Sequence, residues 1–503
     1  MLYLLALLGA WFGFANPVYQ FPLLVLLLPA ALIGLSLRAE GLKDSFRTGW
    51  LCGLIAYSAC LYWVAVPVHY YGPMPWVLAA PIPLLLGAYF GIYTGLFTMA
   101  MTRARSRMHW SFLGLFAGLL WTVLELARSH MLTGFPWISL AQAFSSWPPA
   151  IQATQYIGAF ALSGALVAIT TWLLWTPKHK AAFLPAAITA AILLTLGVAH
   201  WQQPLPEGPY HRIGVVQGNI DQSRKWDEDF QNHTVSKYID LSREALREDE
   251  ADILIWPETA MPFFFQEQSQ LRDRVLEFGQ KRQVPILTGA PAYTEHEGSY
   301  RLYNRAFLLN EAGEISSYYD KMHLVPFGEY VPMQEWLPFL DKLVPGMGDF
   351  FPGQSPDPLR IDDLAMGPLI CYEIIFPRIV QERVENEANI LINISNDAWF
   401  GRSSGPKQHL NQAVLRAVEQ NRYLVRSTNT GISGVISPRG QISQATALYE
   451  DAAFVSEVQT IEEQTPYSRH RPLLIWIYAS LTVLLGLYCL ISKEKLQYKI
   501  KKV

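Results

Sequence analysis

Residues 367–376, "GPLICYEIIF", decide how the rest of the chain is read. An aliphatic run ends on Cys371, Glu373 follows, and Pro377 stops the extended stretch, so a strand passes into a turn and then a helix. Runs of the same kind occur at 212–220 (RIGVVQGNI), 252–258 (DILIWPE), 285–291 (PILTGAP) and 389–395 (NILINIS). Strands this short and apolar are buried on both faces. Helical spacing lies between them. Phe230, Tyr238, Leu241 and Leu246 recur near one face of 227–248, and Leu271, Val275 and Phe278 on 268–283. "RAFLLNEAGEISSYYDK" at 305–321 reads as two strands joined at Ala312 and Gly313. The sum is a layered α/β domain.

Outside this domain the chain changes character. Hydrophobic residues make up 51% of its 503 residues, high for a soluble protein. Apolar runs of membrane-crossing length, roughly 17–25 residues, occur near 21–37, 51–68, 76–101, 110–127, 153–175, 182–200 and 473–491. A further candidate at 2–15 lacks a basic leader and a convincing cleavage site, and is read as a span rather than a signal peptide. Basic residues cluster in alternate loops: Arg38, Lys43 and Arg47; Arg103, Arg105 and Arg107; Lys178 and Lys180; and Lys493 to Lys502 in the tail. The loop "VHYYGPMP" at 68–75 carries no lysine or arginine. By the positive-inside rule both termini are expected in the cytoplasm and the segment from about 201 to 470 outside. The expected organisation is a membrane bundle of about seven helices at 1–200, an exported catalytic domain at 201–467, a final transmembrane helix at 468–492 and a basic tail at 493–503. A net charge of −3 without a clustered basic face gives no nucleic-acid footprint. Metal motifs, phosphate-cradling glycine loops and nucleotide fingerprints are absent from the sequence, so no cofactor is expected.

Of the four cysteines, only Cys371 lies outside the expected spans. A lone thiol in an exported domain has no disulfide partner there, so it is either a buried hydrophobe or a nucleophile. Its place between strand and turn favours the second. Such a thiol needs a base for its proton and a cation or donors for the oxyanion that forms when it attacks a carbonyl. The domain's histidines, His211, His233, His296, His323 and His409, form no recognisable Cys-His signature. Carboxylate is the alternative. Glu258 follows Trp256 and Pro257 at the end of a strand-like run, where partial desolvation suits it to accept a proton. Lys321, in "YYDKMHLVPFGEYVP", also ends a strand and offers an ammonium. Taken singly, the glutamate could open a helix and the lysine could be solvated. Glu, Lys and Cys at three strand ends of one α/β domain are far more specific.

That ordered triad, with "LIWPET", "DKMHLVPFGEYVP", "LICYEIIFP" and "ISNDAWFG", closely resembles the nitrilase superfamily. With the flanking spans, essentially the whole chain resembles the bacterial apolipoprotein N-acyltransferase family. The resemblance implies an αββα sandwich and a ping-pong reaction. In it Glu258 is the general base, Cys371 the nucleophile that carries the acyl chain as a thioester, and Lys321 the oxyanion stabiliser. Glu329 and Glu373 would orient the lysine or the substrate amine, and Tyr372 and Trp226 match further residues used at the site. The implied donor is a phospholipid, typically phosphatidylethanolamine, and the acceptor the α-amino group of a diacylglyceryl-cysteine on an apolipoprotein. The implied location is a bacterial inner membrane, with the catalytic domain periplasmic.

The residues alone fit an enzyme held at a bilayer. "AMPFFFQ" at 260–266 and "WLPFLDKLVPGMGDFF" at 336–351 are apolar loops expected to touch membrane or cover the thioester, unless they fold into the core. Trp399 and Phe400 either wall an acyl pocket or anchor a strand, and Asn396 and Asp397 read as packing. Gly87, Gly91 and Gly95 read as helix-packing positions. Glu125, with Arg128 three residues on, reads as a structural pair. The rivals are a membrane-tethered amidase that releases its acyl group to water and a transporter with an inert cysteine. The spans show few polar groups for a pathway and no duplicated halves, which disfavours the transporter.

Overall fold

The computed structural model describes residues 1–72, 74–296, 298–332 and 349–492. The basic tail at 493–503 and residues 336–348 of the second apolar loop lie outside them. The chain divides into two compact units: one formed by 1–65, 80–203 and the chain from Thr465, the other by Val66–Ala79 and Pro204–Gln464. The segment around 68–75, read from sequence as a short loop between spans, therefore clusters with the α/β unit.

In the helical unit, Trp110–Arg128, Lys180–Trp201 and Pro466–Ile491, with Trp76–Ala104, are long and apolar enough to cross a membrane. Two bent pairs raise these four to six if each pair is one span: Leu42–Cys60 with Tyr62–Tyr70 at 61°, and Pro148–Ile157 with Ala159–Trp175 at 112°. Each break has a local cause. The first helix breaks at Leu61, whose φ of −102° and ψ of 13° leave helical values, and Gly158 takes a φ of +77° between the two halves of the second pair. The runs expected at 2–15 and 21–37 form the shorter helices Leu2–Gly13 and Pro22–Arg38. Asn16 stops the first of these: its amide donates to Trp11 O at 3.0 Å and Tyr19 O at 2.7 Å, and its Oδ1 accepts from Val18 N at 2.9 Å. Exposed Leu184, Leu194, Leu473, Trp476 and Leu484 give the outer helices an apolar surface suited to lipid. The glycine reading holds. A Cβ on Gly91 would sit 2.7 Å from Trp50 O, and one on Gly53 of the facing helix 3.0 Å from Gly91 Cα, so the backbones touch only because both are glycine. Glu125 Oε1 accepts from Trp121 Nε1 at 2.9 Å and Leu140 N at 3.1 Å, and, among the described residues, no ion pair within 4 Å joins it to Arg128 as the sequence suggested.

The α/β unit holds, among the described residues, strands β1 Tyr210–Gln217, β2 Ile253–Ile255, β3 Ile286–His296, β4 Ser299–Leu309, β5 Ile315–Asp320, β6 Leu359–Ile361, β7 Leu364–Ile370, β8 Ile390–Ser395, β9 Leu424–Thr428, β10 Gly434–Ile436, β11 Ile442–Ser443 and β12 Ala452–Gln459. They form two six-stranded sheets, ordered β12-β1-β2-β3-β4-β5 and β11-β10-β9-β8-β7-β6. β1, β2 and β3 run parallel, as do β7, β8 and β9, while the outer strands pair antiparallel.

Alternation along the strands builds the layers. Ile213, Val215, Ile253, Ile255 and Leu308 of the first sheet meet Met366, Ile370, Ile392, Ile394 and Val425 of the second in one buried cluster. Their neighbours Val216, Leu254, Ile286 and Phe307 point the other way, onto Val235, Tyr238 and Ile239 of helix Glu228–Glu248 and Val275 and Phe278 of helix Gln270–Arg282. Helices Pro377–Glu385 and Gly405–Gln420 cover the second sheet. Each such buried aliphatic side chain contributes about 1.5–3 kcal/mol, and the result is the expected αββα sandwich.

The loop "AMPFFFQ", expected to touch membrane or cover the thioester, folds into the core instead. Phe265 is fully buried in the core between helices and first sheet, with Phe263 packed against the same cluster and Phe264 edge-on to Tyr293. It folds inward because Phe265 finds Phe307 of β4 at 5.5 Å between ring centroids, and it supplies no apolar lid.

The turn after β2 is clamped to β3. Trp256 stacks on Tyr238 and donates through Nε1 to Ser242 Oγ at 2.9 Å; Gly289 N donates to Pro257 O at 3.2 Å, and Met261 N to Gly289 O at 3.1 Å. A Cβ on Gly289 would lie 2.5 Å from Thr259 N and 2.8 Å from Glu258 Cα. Gly289→Ala should therefore displace Glu258, costing about 1–3 kcal/mol and about 10²-fold in whatever chemistry Glu258 serves. Melting temperature and turnover check it together, and a variant matching the parent in both would contradict the clamp.

Candidate active site

Both sheets deliver their chemistry at strand ends. Glu258 lies three residues beyond β2, in the turn just described and followed by Thr259 at a φ of +51°. Lys321 follows β5 directly, Cys371 follows β7, and Asn396 follows β8.

Hydrogen bonds tie these ends together. Glu258 Oε2 accepts from Asn396 N at 2.9 Å, and its Oε1 accepts from Asn304 Nδ2 at 2.7 Å while facing Lys321 Nζ at 3.6 Å. Lys321 Nζ donates to Glu329 Oε1 at 3.0 Å, an oxygen that also accepts from Asn304 Nδ2 at 3.0 Å. Glu329 is itself anchored by Val325 N on Oε2 at 2.7 Å. Lys321 is thus held between two carboxylates, with Asn304 bridging them. Of the two carboxylates expected to orient the lysine, Glu329 does so by direct contact.

Glu373 has a different task. Its Oε1 accepts from Tyr319 Oη at 2.7 Å, Met322 N at 2.8 Å and His323 N at 3.1 Å, and its Oε2 from Ile370 N at 2.8 Å. Fully buried, it fastens the backbone after Lys321 to the backbone before Cys371. Glu373→Gln would set an amide N–H₂ against these donors, so it should cost about 3 kcal/mol and slow acyl transfer as well. Denaturant melts and turnover read the two effects; a fully stable and active variant would contradict this role.

Cys371 opens the short 3₁₀ turn Cys371–Ile375 with a φ of +51°. A left-handed non-glycine residue costs about 1–2 kcal/mol, which the surrounding contacts must hold. Burial pushes its thiol well up from the ordinary value and Glu258 adds to that, while Lys321 pulls the other way. The resting group is therefore a thiol that needs a base at the moment of attack. For Lys321, burial works against the charge, but Glu329, Glu258 and Cys371 prevail and raise its pKa, so it stays an ammonium. A carboxylate, an ammonium and a thiol thus stand in one buried cluster, a set chemically able to carry acyl transfer through a thioester.

Tyr372 packs its ring on Phe376 and His323. Trp226 stands 43% exposed on the loop before helix Glu228–Glu248. Trp399 takes the ring of Tyr71 edge-on at 4.9 Å, and Tyr71 Oη donates to Ala398 O at 3.2 Å, so this aromatic pair anchors 66–79 to the turn after β8. Sequence reasoning passed over Asn304, an unremarkable position in an antiparallel strand, and Lys225, buried with Nζ 3.4 Å from Glu258 O. Burial draws the Lys225 pKa down to about 8 against the pull of Glu258. Its place beside Trp226 was the one available signal. Among the described residues, no group of three or more His, Cys, Asp or Glu is arranged to hold a metal.

The two-sheet domain is of the carbon–nitrogen hydrolase class, whose family model matches residues 212–462, and the model for the apolipoprotein N-acyltransferase N-terminal domain matches residues 8–173. The apolipoprotein N-acyltransferase of Geobacter metallireducens is 38% identical over 453 residues, 88% of this chain and 86% of its own. Those of Vibrio vulnificus, 33% identical over 95% of each chain, and Nitrosomonas europaea, 31% identical over 94% of each, run nearly end to end with it. The chain belongs to the apolipoprotein N-acyltransferase family. It is a membrane protein and an acyl-transferring enzyme.

Proposed function

We propose that the enzyme moves an acyl chain from a phospholipid to the α-amino group of a diacylglyceryl-cysteine at an apolipoprotein N-terminus. Glu258 takes the Cys371 proton as sulfur attacks the ester carbonyl, and the oxyanion forms beside the Lys321 ammonium. Collapse breaks the C–O bond; Glu258 returns the proton to the departing lysophospholipid oxygen and the acyl group remains as a thioester. In the second half the acceptor amine attacks that carbonyl and Glu258 accepts its proton; the C–S bond then breaks and Glu258 passes the proton to the departing sulfur, restoring the thiol and the carboxylate. Phosphatidylethanolamine is the expected donor. The observation that carries this reading is the buried Glu258–Lys321–Glu329 cluster beside Cys371, in a chain that also carries helices long and apolar enough to cross a membrane.

Basic loops support an orientation. Consecutive spans reverse direction, and Arg38 to Arg47, Arg103 to Arg107 and Lys178 to Lys180 fall at alternate turns of the chain. On that pattern the α/β unit faces the periplasm of a bacterial inner membrane. To test the function, the full-length enzyme is incubated with phosphatidylethanolamine vesicles and a diacylglyceryl-cysteine peptide. One lysophospholipid released per N-acyl peptide formed is the expected result; free fatty acid in place of acylated peptide would favour the amidase reading.

A further inference from the structure

His409 lies on helix Gly405–Gln420 with no exposed surface, and its Nε2 is 3.1 Å from the carbonyl oxygen of Cys371. A carbonyl can only accept, so Nε2 carries the hydrogen. The other ring nitrogen is placed by a buried network. Nδ1 lies 2.9 Å from Arg426 Nη2 and 3.0 Å from Asp397 Oδ1; that guanidinium nitrogen donates to Asp397 Oδ2 at 2.7 Å, and Ser395 Oγ donates to Asp397 Oδ1 at 2.8 Å. Arg426 Nη1 also donates to Asn393 Oδ1. Burial and the Arg426 charge push the imidazole below its ordinary value, which leaves a neutral ring with Nδ1 accepting from Arg426. Asp397, read from sequence as packing, therefore helps with Arg426 to determine which nitrogen of His409 bears the proton.

The Cys371 peptide is where this bond matters, because a left-handed φ at a non-glycine residue persists only when its surroundings hold it. Glu373 fixes the N–H of Ile370 on one side. On the other side stands the Cys371 carbonyl, and a rotation of that peptide would swing the thiol away from Glu258 and Lys321. We propose that His409 is a positioning residue for the nucleophile: its Nε2–H grips the Cys371 carbonyl and locks the left-handed turn that aims the thiol. The proposal rests on the reading of Cys371 as the acyl carrier. His409 touches no substrate on this account.

Two substitutions of similar polarity separate this from a structural role. In His409→Gln the side-chain amide nitrogen can reach the position of Nε2 and donate to the Cys371 carbonyl. In His409→Asn the amide ends near the position of Nδ1, keeps a partner for Arg426 and leaves the carbonyl bare. Full-length enzyme and both variants are mixed with phosphatidylethanolamine vesicles, and the rate of thioester formation is read by intact-protein mass alongside the melting temperature and the kcat and KM of transfer. The expected result is His409→Gln within about tenfold of the parent and His409→Asn slower by about 10²-fold, in kcat rather than KM. Equal rates for the two variants, or a folded His409→Gln as slow as His409→Asn, would overturn the proposal. Should His409→Asn fail to fold, the rate of His409→Gln decides alone: retention supports the donor, and a folded but inactive protein refutes it. A parent enzyme that forms no thioester would instead refute the role of Cys371, a separate outcome.

Discussion

Cys371→Ala is expected to abolish acyl transfer, by about 10⁴-fold or more, while leaving the fold intact. The thiol is the one group in the cluster able to carry an acyl chain covalently, and every neighbour acts on it: Glu258 and Lys321 set its charge, Glu373 its backbone on one side. Alanine keeps Cβ and removes a single buried sulfur from a nearly closed site, so stability should move by only about 1 kcal/mol. Acylated peptide measured by mass spectrometry and a thermal melt of the same sample give both numbers. A variant that still transfers acyl chains at an appreciable rate would require another nucleophile.

Lys321→Met is the second large effect, and it differs in kind. The ammonium is 1% exposed and lies 3.0 Å from Glu329 Oε1 and 3.6 Å from Glu258 Oε1. Methionine fills a similar volume but leaves two buried carboxylates facing one another across Asn304. The loss of the cation at the oxyanion should slow transfer by about 10²–10³-fold, and the unpaired carboxylates should cost about 3–5 kcal/mol of stability. Adding Glu329→Gln to this variant removes one of the two stranded charges and should recover part of the stability without recovering activity. Recovery of activity would mean that Lys321 serves only to neutralise its neighbours.

Much of this was legible in the sequence for physical reasons. Aliphatic runs such as "NILINIS" can be nothing but doubly buried strands, and charges placed at their ends stand out against them. Cys371, Glu258 and Lys321 were visible on that ground. Glu329 and Glu373 were visible only through the family resemblance, and their division of labour depends on which N–H groups the fold turns toward each. Asn304 and His409 gave no signal, because an asparagine in an antiparallel strand and a histidine on a helix look the same whether they face solvent or a catalytic carboxylate. The phenylalanines at 263–265 were misjudged because an apolar loop and an apolar plug have one composition; only the facing Phe307 decides between them. The helical unit shows the same limit. Hydropathy marks apolar stretches but not the Asn16 turn, the Leu61 break or the Gly158 bend that cut them.

The central claim is that Cys371 takes an acyl chain from lipid. Its most direct test is the intact mass of the full-length enzyme after incubation with phosphatidylethanolamine vesicles and no acceptor, beside Cys371→Ala. The account predicts one added acyl chain on the parent, removed by hydroxylamine and missing from the variant. An unmodified parent with intact phospholipid, or an adduct that persists in Cys371→Ala, would contradict it.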